Sequence, residues 1–273
     1  MKLNLSKLAR CPAPVRIGAF LLILLLFWVP LAGPIVLLVR DPNLASILTL
    51  LLLYVEFIVL VRLWGLHVYR QPNVLWRYGL EFSRRSGQEW LTGWTIGAGS
   101  LFILFIAESL LGWLTWKPST SLLQVVLEGL LMSTALAFAE ELLFRGWLLD
   151  ELQRDYVPTV ALVVNATIFA AVHGFKVQFP ALILLGATLV WAKRIHGERW
   201  FGGWRERLAL PMGLHAGLVW GYYVVNVGQL IEYTDRVPNW ITGVDRNPLA
   251  GAIGILFLLG LAVGIRQRTV ADR

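Results

Sequence analysis

The sequence predicts an all-α fold, a polytopic bundle of transmembrane helices. Its 273 residues are 57% hydrophobic and only 15% charged, with a mean hydropathy of +0.66, whereas soluble domains carry about 25% charged residues. A chain that crosses a bilayer must satisfy its backbone hydrogen bonds internally, which leaves helices or a closed barrel. The apolar runs are long and do not alternate as barrel strands do, so helices are expected.

Eight apolar spans account for most of the chain, each near the roughly 20 residues that a bilayer core requires. They lie at about 17–39, 44–65, 91–114, 120–144, 158–175, 178–195, 209–229 and 247–266. The first is expected to be a retained helix, because its apolar stretch is too long for a signal peptide and lacks a small-residue cleavage site. We expect a single transmembrane domain over residues 1–273, in the plasma (inner) membrane or another internal membrane.

The net charge of +7 and the pI near 9.9 come from short basic clusters between the apolar runs. Arg16, before the first span, and Lys193, in the sixth, are examples. Under the positive-inside rule these clusters set orientation and predict that both termini are cytoplasmic. They do not form one basic face, so nucleic acid is not an expected partner. The single cysteine, Cys11, excludes an intrachain disulfide and makes redox chemistry an unattractive hypothesis.

Ionisable residues at membrane depth are functional candidates by default, because an unpaired charge there costs several kcal/mol. The candidates are Glu56, Glu108, Glu128, Glu140, Glu141, His173 and His215. The first three stand alone in the sequence, and a position near a span end or a bond to a neighbouring helix explains each of them more simply. The other four occur in three motifs.

The first motif places two carboxylates side by side, Glu140 and Glu141, with Arg145 four residues after the second. Residues four apart share a helix face, so Glu141 and Arg145 are expected to pair. Glu140 points about 100° away from Glu141 and is free to act as a base. The alternative is an amphipathic helix end at the membrane interface.

The second motif lies on the fifth span, where Asn165, Phe169 and His173 follow one another at intervals of four. Such a histidine is often only a core residue. However, the fourth and fifth spans form a hairpin that turns near residues 155–158, and Glu140 and His173 both lie roughly 22–25 Å from that turn. The two side chains are therefore expected to meet.

The third motif is on the seventh span. Its glycines recur every four residues, at Gly213, Gly217 and Gly221. This spacing is typical of a face where two helices approach closely in lipid. The opposite side carries a polar stripe, made of His215, Tyr222 and Asn226. A polar stripe in a span needs a cavity or partners.

Taken together, Glu-Glu-x-x-x-Arg, Phe-x-x-x-His and a histidine on a later span resemble the CAAX-protease and bacteriocin-processing (CPBP, or Abi) family of intramembrane proteases, related to the CAAX prenyl endopeptidases. The likeness covers about residues 119–227. It implies that Glu140 and His173 activate a water molecule and that His215 helps to bind the oxyanion. It also implies that Glu141 and Arg145 support the site. Phe169, on the stripe of His173, and Asn226, on the face of His215, are further candidates for support.

One position departs from the family pattern. The family usually has an asparagine four residues after the third-motif histidine, and this sequence has Val219 there. Asn226 shares the face of His215 but lies about 16 Å further along the helix, too far for a simple substitute.

The same residues allow two kinds of hydrolytic site, one without a cofactor and one with a divalent metal such as zinc. Two histidines and a carboxylate form a recognised zinc set, so Glu140, His173 and His215 are candidate ligands. In a metal site, one of Glu140 and Glu141 would be the ligand and the other the base. The compact His-x-x-x-His spacing of many zinc proteases is absent, which favours a metal-independent or weakly metal-assisted site.

Three function classes follow. The first is an intramembrane endopeptidase acting on a hydrophobic or lipidated peptide or membrane-protein substrate in the bilayer. The alternative, which Val219 favours, is a noncatalytic scaffold, assembly factor or immunity protein of the same fold. A proton-relay transporter is the third, and it lacks the expected inverted repeat. The sequence does not predict an oligomeric state.

Overall fold

The computed structural model describes residues 5–195, 198–200, 203–244 and 247–271. The chain falls into two compact units, the first comprising residues 1–77 and 150–157 and the second residues 78–149 and 158–273. The single transmembrane domain expected from the sequence stays a prediction.

Helices dominate the fold, as predicted. The helices are α1 Ala13–Leu38, α2 Pro42–His67, α3 Val74–Arg77, α4 Arg84–Leu110, α5 Leu122–Glu141, α6 Leu149–Gln153, α7 Pro158–Val172, α8 Phe179–Arg194, α9 Ala209–Val227, α10 Asn239–Thr242 and α11 Ala252–Ala271. A π-helical segment, Leu142–Leu148, joins α5 to α6, and 3₁₀ turns lie at Leu5–Arg10 and Pro248–Ala250.

Short strands qualify the all-α expectation. They are β1 Leu114–Trp116, β2 Glu198–Trp200, β3 Gly203–Arg205 and β4 Ile231–Tyr233. β1 pairs antiparallel with β4, with Leu114 opposite Tyr233, and β2 pairs antiparallel with β3. The third span was expected to continue to residue 114, but the helix ends at Leu110 and Gly112 follows with a φ of 72°, a backbone conformation that favours glycine.

Five helices of the described chain are long and apolar enough to cross a membrane, which confirms an integral, multi-pass membrane protein. They are Ala13–Leu38, Pro42–His67, Arg84–Leu110, Leu122–Gln153 and Ala252–Ala271. The other three expected spans correspond to α7, α8 and α9. The first two have 15 and 16 residues, fewer than the roughly 20 that a bilayer core requires, and α9 carries the polar stripe. The count of eight and the orientation of the termini stay predictions.

A buried polar cluster organises the first unit around Glu151, which is fully buried. Its carboxylate accepts hydrogen bonds from Arg16 Nε at 2.8 Å, Trp64 Nε1 at 3.1 Å and the Tyr69 hydroxyl at 2.7 Å. Arg16 also pairs with Asp155 at 3.1 Å. Burial and the bond to Glu151 raise the pKa of the Tyr69 hydroxyl, so Tyr69 remains a donor. The sequence reading of Arg16 as topogenic charge missed this cluster.

In the second unit, α4 packs against α9 through glycines on both helices. A Cβ added at Gly213 would collide with the Trp90 carbonyl, and one at Gly217 with the Trp94 carbonyl. Gly93 on α4 meets the Leu210 carbonyl in the same way. The predicted glycine packing face is confirmed. Because the glycine face of α9 packs against α4, His215 lies on the other side of α9, where α5 packs.

Candidate active site

The two glutamates occupy the last two positions of α5, immediately before the π-helical segment. Glu141 is fully buried and accepts two bonds through Oε1, one from Arg145 Nη1 at 2.9 Å and one from His215 Nδ1 at 2.9 Å. The predicted pair of Glu141 and Arg145 is therefore present. Glu141 also reaches a histidine on another helix, which the sequence did not predict.

Arg145 is fully buried and has three kinds of partner. Besides Glu141, its guanidinium donates to the Gly186 carbonyl at 3.3 Å and lies 4.3 Å from the ring centroid of Phe169. A buried charge needs such compensation, because removing its partner would leave an uncompensated ion in a low dielectric. The contact also places Phe169 in the wall that holds the ion pair.

His173 lies just beyond the end of α7, where Gly174 adopts a φ of 90° and ends the helix. Its Nδ1 is 2.7 Å from the Phe169 carbonyl. A carbonyl can only accept, so Nδ1 carries the proton, and in the neutral imidazole Nε2 holds a lone pair. That Nε2 lies 3.7 Å from Glu140 Oε2.

Glu140 Oε2 stands between the two imidazoles. It is 3.7 Å from His173 Nε2 and 3.9 Å from His215 Nε2, and this buried oxygen has no hydrogen-bond partner in the described part of the chain. Both separations exceed a direct hydrogen bond, so Glu140 is not bonded directly to either imidazole through this oxygen. The structure thus brings together the three side chains that the sequence nominated from separate helices.

The three side chains open into a cavity of about 310 Å³. Most of its wall is apolar, contributed by residues such as Leu104, Leu136, Leu185, Val219, Phe257 and Leu258. Val219, the position that departs from the family pattern, contributes an apolar surface one turn of α9 beyond His215. An apolar cavity with a few convergent polar groups is the usual form of a binding site for an apolar ligand.

The fit of a divalent metal was tested on the same atoms. Ligands bound at about 2.1 Å to a tetrahedral zinc stand about 3.4 Å from one another. The oxygen of Glu140 is further than that from both imidazole nitrogens, at 3.7 and 3.9 Å. Across the ranges that the structure describes, no group of three or more His, Cys, Asp or Glu side chains has the geometry of a metal site. The metal-independent or weakly metal-assisted site that the sequence favours stays a prediction.

Four other candidates lie outside this site. Asn226, expected to support it, donates its amide to the Tyr222 carbonyl of its own helix at 3.1 Å. Glu128 is exposed on α5 and accepts from Gln124 at 2.7 Å. Glu108 is buried in α4, and Glu56 belongs to α2 of the first unit.

Sequence reasoning missed two contacts beside the site. Asn165 Nδ2 donates to the Phe144 carbonyl at 2.7 Å, and Lys193 Nζ donates to the Arg145 carbonyl at 2.6 Å. Asn165 had a visible signal, since it shares the stripe of His173. Lys193 had none, because a lysine at the end of a span is ordinarily explained by orientation.

Comparison with known proteins agrees with the motifs. Residues 122–231 match the family model described as type II CAAX prenyl endopeptidase Rce1-like, which confirms the resemblance expected over about residues 119–227. Searches of curated proteins and of solved structures found no match. The matched segment runs from the first residue of α5 to β4 and includes Glu140, His173 and His215. The chain is thus an integral membrane protein whose residues 122–231 match the model of the Rce1-like CAAX prenyl endopeptidase family, a family of proteases.

Proposed function

We propose that the protein is an intramembrane endopeptidase that hydrolyses a peptide bond of a hydrophobic or lipidated substrate. One observation carries the proposal: the unpartnered Glu140 Oε2 lies 3.7 and 3.9 Å from the Nε2 atoms of His173 and His215, at the wall of an apolar cavity. The family match supports the same class of reaction.

Glu140 and His173 activate the attacking water. The water donates one hydrogen to Glu140 Oε2 and the other to the lone pair of His173 Nε2, which the bond from Nδ1 to the Phe169 carbonyl holds in place. As the water oxygen bonds to the scissile carbonyl carbon, its proton passes to Glu140. A positioned general base of this kind contributes about 10²- to 10⁴-fold to the rate.

His215 stabilises the oxyanion as an imidazolium. Its Nδ1–H faces Glu141, so a neutral ring would have only a lone pair at Nε2 and could not donate to an oxyanion. With His215 protonated, the cluster holds two carboxylates, Glu140 and Glu141, and two cations, Arg145 and His215. It is then electrically neutral, as a low-dielectric site requires. The Nε2–H donates to the developing oxyanion.

Collapse of the tetrahedral intermediate completes the reaction. The protonated Glu140 gives its proton to the leaving amine, the C–N bond breaks, and the carbonyl re-forms as the new carboxyl terminus. One water is consumed, and Glu140 returns as a carboxylate. The apolar cavity accommodates the aliphatic part of the substrate, and Val219 extends that surface to the level of the site.

Comparative membrane proteomics tests the proposal in cells. Wild type would be compared with the site variants Glu140→Gln and His173→Gln. Glu128→Gln is the control, because Glu128 is an exposed glutamate on the same helix as Glu140. We expect a membrane protein or lipidated peptide that stays uncleaved only in Glu140→Gln and in His173→Gln. Normal processing in both site variants, at wild-type protein levels, would contradict proteolysis. Co-purification of a stoichiometric partner unaffected by Glu140→Gln would instead support a scaffold.

A further inference from the structure

We infer that Lys193 and Asn165 are positioning residues, which set the two catalytic-site glutamates against the histidines by holding the π-helical segment that follows them. This inference rests on the proposed function. It gives a role to Lys193, which no motif includes, and to Asn165, which the second motif includes without a role. It is carried by hydrogen bonds to two consecutive backbone carbonyls of that segment.

The hydrogen bonds to the π-helical segment come from α7 and α8. Asn165, fully buried on α7, donates to the Phe144 carbonyl at 2.7 Å. Lys193, buried on α8, donates to the Arg145 carbonyl at 2.6 Å. The Arg145 guanidinium in turn donates a hydrogen bond to the Gly186 carbonyl of α8 at 3.3 Å. The segment is thus tied to both α7 and α8.

Such ties matter because a π-helical turn has a different number of residues per turn from the α-helix on either side of it. Glu140 and Glu141 lie directly before the change, and Arg145 lies within it. If the segment relaxed toward ordinary α-helix, the side chains on its two sides would rotate relative to each other. Such a rotation would move Arg145 relative to the Gly186 carbonyl and the Phe169 ring, and with it the Glu141 carboxylate that accepts from His215 Nδ1.

The charge of Lys193 has a local counterion. Glu206 lies 3.7 Å from Lys193 Nζ and 3.4 Å from Arg194 Nε. Removing the ammonium therefore leaves Glu206 still paired with Arg194. Lys193→Met removes the donor to the Arg145 carbonyl, and the methionine retains most of the volume of the side chain.

The first test is kinetic, on full-length protein in lipid nanodiscs with a quenched fluorescent farnesylated peptide. A misplacement of about 1 Å costs roughly 10²-fold in rate, so kcat of Lys193→Met and Asn165→Leu should fall about that much per folded molecule. KM should stay within about twofold, because neither residue lines the cavity. Lys193→Arg should recover part of the loss. Lys176→Met, an exposed lysine just beyond His173, is the matched control.

The second test does not need activity. The chain has four histidines, so ¹⁵N-histidine spectra can be assigned with single His→Gln variants. The wild-type His215 ring should show the signature of a ring bonded at Nδ1 to a carboxylate, and Lys193→Met should change it while Lys176→Met does not. An unchanged His215 signal and an unchanged kcat in folded Lys193→Met and Asn165→Leu would overturn the inference. A wild type that does not cleave the farnesylated peptide would exclude that class of substrate, and the spectra would still decide this inference.

Discussion

The two adjacent glutamates should respond very differently to the same change from carboxylate to amide. Glu140→Gln removes the base but no hydrogen bond involving Oε2, because that oxygen has no partner in the described chain. Folding should therefore be affected less than in Glu141→Gln, because Glu140 lies at the cavity wall and that oxygen accepts no direct hydrogen bond within the described residues. Activity should fall by at least about 10³-fold, in the range expected for loss of a general base.

Glu141→Gln should show the reverse pattern. Glu141 Oε1 accepts two buried charge-assisted bonds, from Arg145 and His215, both at 2.9 Å. A bond to a charged group contributes about 1.5–3 kcal/mol and a neutral one about 0.5–1.5, so each weakens by about 1–1.5 kcal/mol. The share borne by His215 lowers kcat by about 10-fold. Glu141→Gln also removes the counterion of the fully buried Arg145, so the free energy of unfolding should fall by about 3–5 kcal/mol.

The assay measures kcat in nanodiscs and the free energy of unfolding in mixed detergent for both variants, with Glu128→Gln as the exposed control on the same helix. We expect kcat to fall further in Glu140→Gln and the free energy of unfolding to fall further in Glu141→Gln. It is refuted if the order of either effect is inverted, or if Glu140→Gln keeps more than about a tenth of wild-type activity.

Three further predictions follow from the same contacts. Arg145→Met should lower the free energy of unfolding by about 3–5 kcal/mol, because it removes one of the two cations that balance the carboxylates of Glu140 and Glu141. The double variant Glu141→Leu/Arg145→Met should recover most of the loss, and a loss no smaller in the double variant would refute the pairing. Gly217→Ala should lower the free energy of unfolding by about 1–3 kcal/mol, because the new Cβ would collide with the Trp94 carbonyl. Gly99→Ala is the control and should be neutral, because nothing lies within 4 Å of a Cβ added there. Equal melting temperatures of the two variants in thermal unfolding would exclude tight packing of α9 at Gly217. Phenanthroline should leave peptide cleavage unchanged, since the proposed mechanism activates water with Glu140 and His173 alone; loss of activity restored by added zinc would contradict this.

Helical periodicity explains why most of the fold was predictable. The glycines of α9 recur at the helical interval, and the structure places them against α4 as expected. The same periodicity placed His215 on the face away from those glycines. The meeting of Glu140 with His173 followed from their similar distances from one turn. These inferences needed only the rise and the repeat of an α-helix.

The missed features depend on contacts between segments far apart in the chain. A π-helical turn has no composition that distinguishes it from the α-helix around it, so Leu142–Leu148 read as the continuation of a span. Lys193 and Arg16 read as orientation signals, because basic residues at span ends are common. Their burial is created by partners at distant positions, the Arg145 carbonyl for one and Glu151 for the other. A local sequence pattern does not predict contacts between residues so far apart in the chain.

Cleavage in oxygen-18-labelled water tests most directly whether a glutamate between two histidines delivers water to a peptide bond. Purified wild type and Glu140→Gln in nanodiscs would receive the same farnesylated peptide, and mass spectrometry would follow the products. The account predicts one labelled oxygen in the new carboxyl terminus from wild type and no product above background from Glu140→Gln. Product formation by Glu140→Gln at the wild-type rate would contradict it.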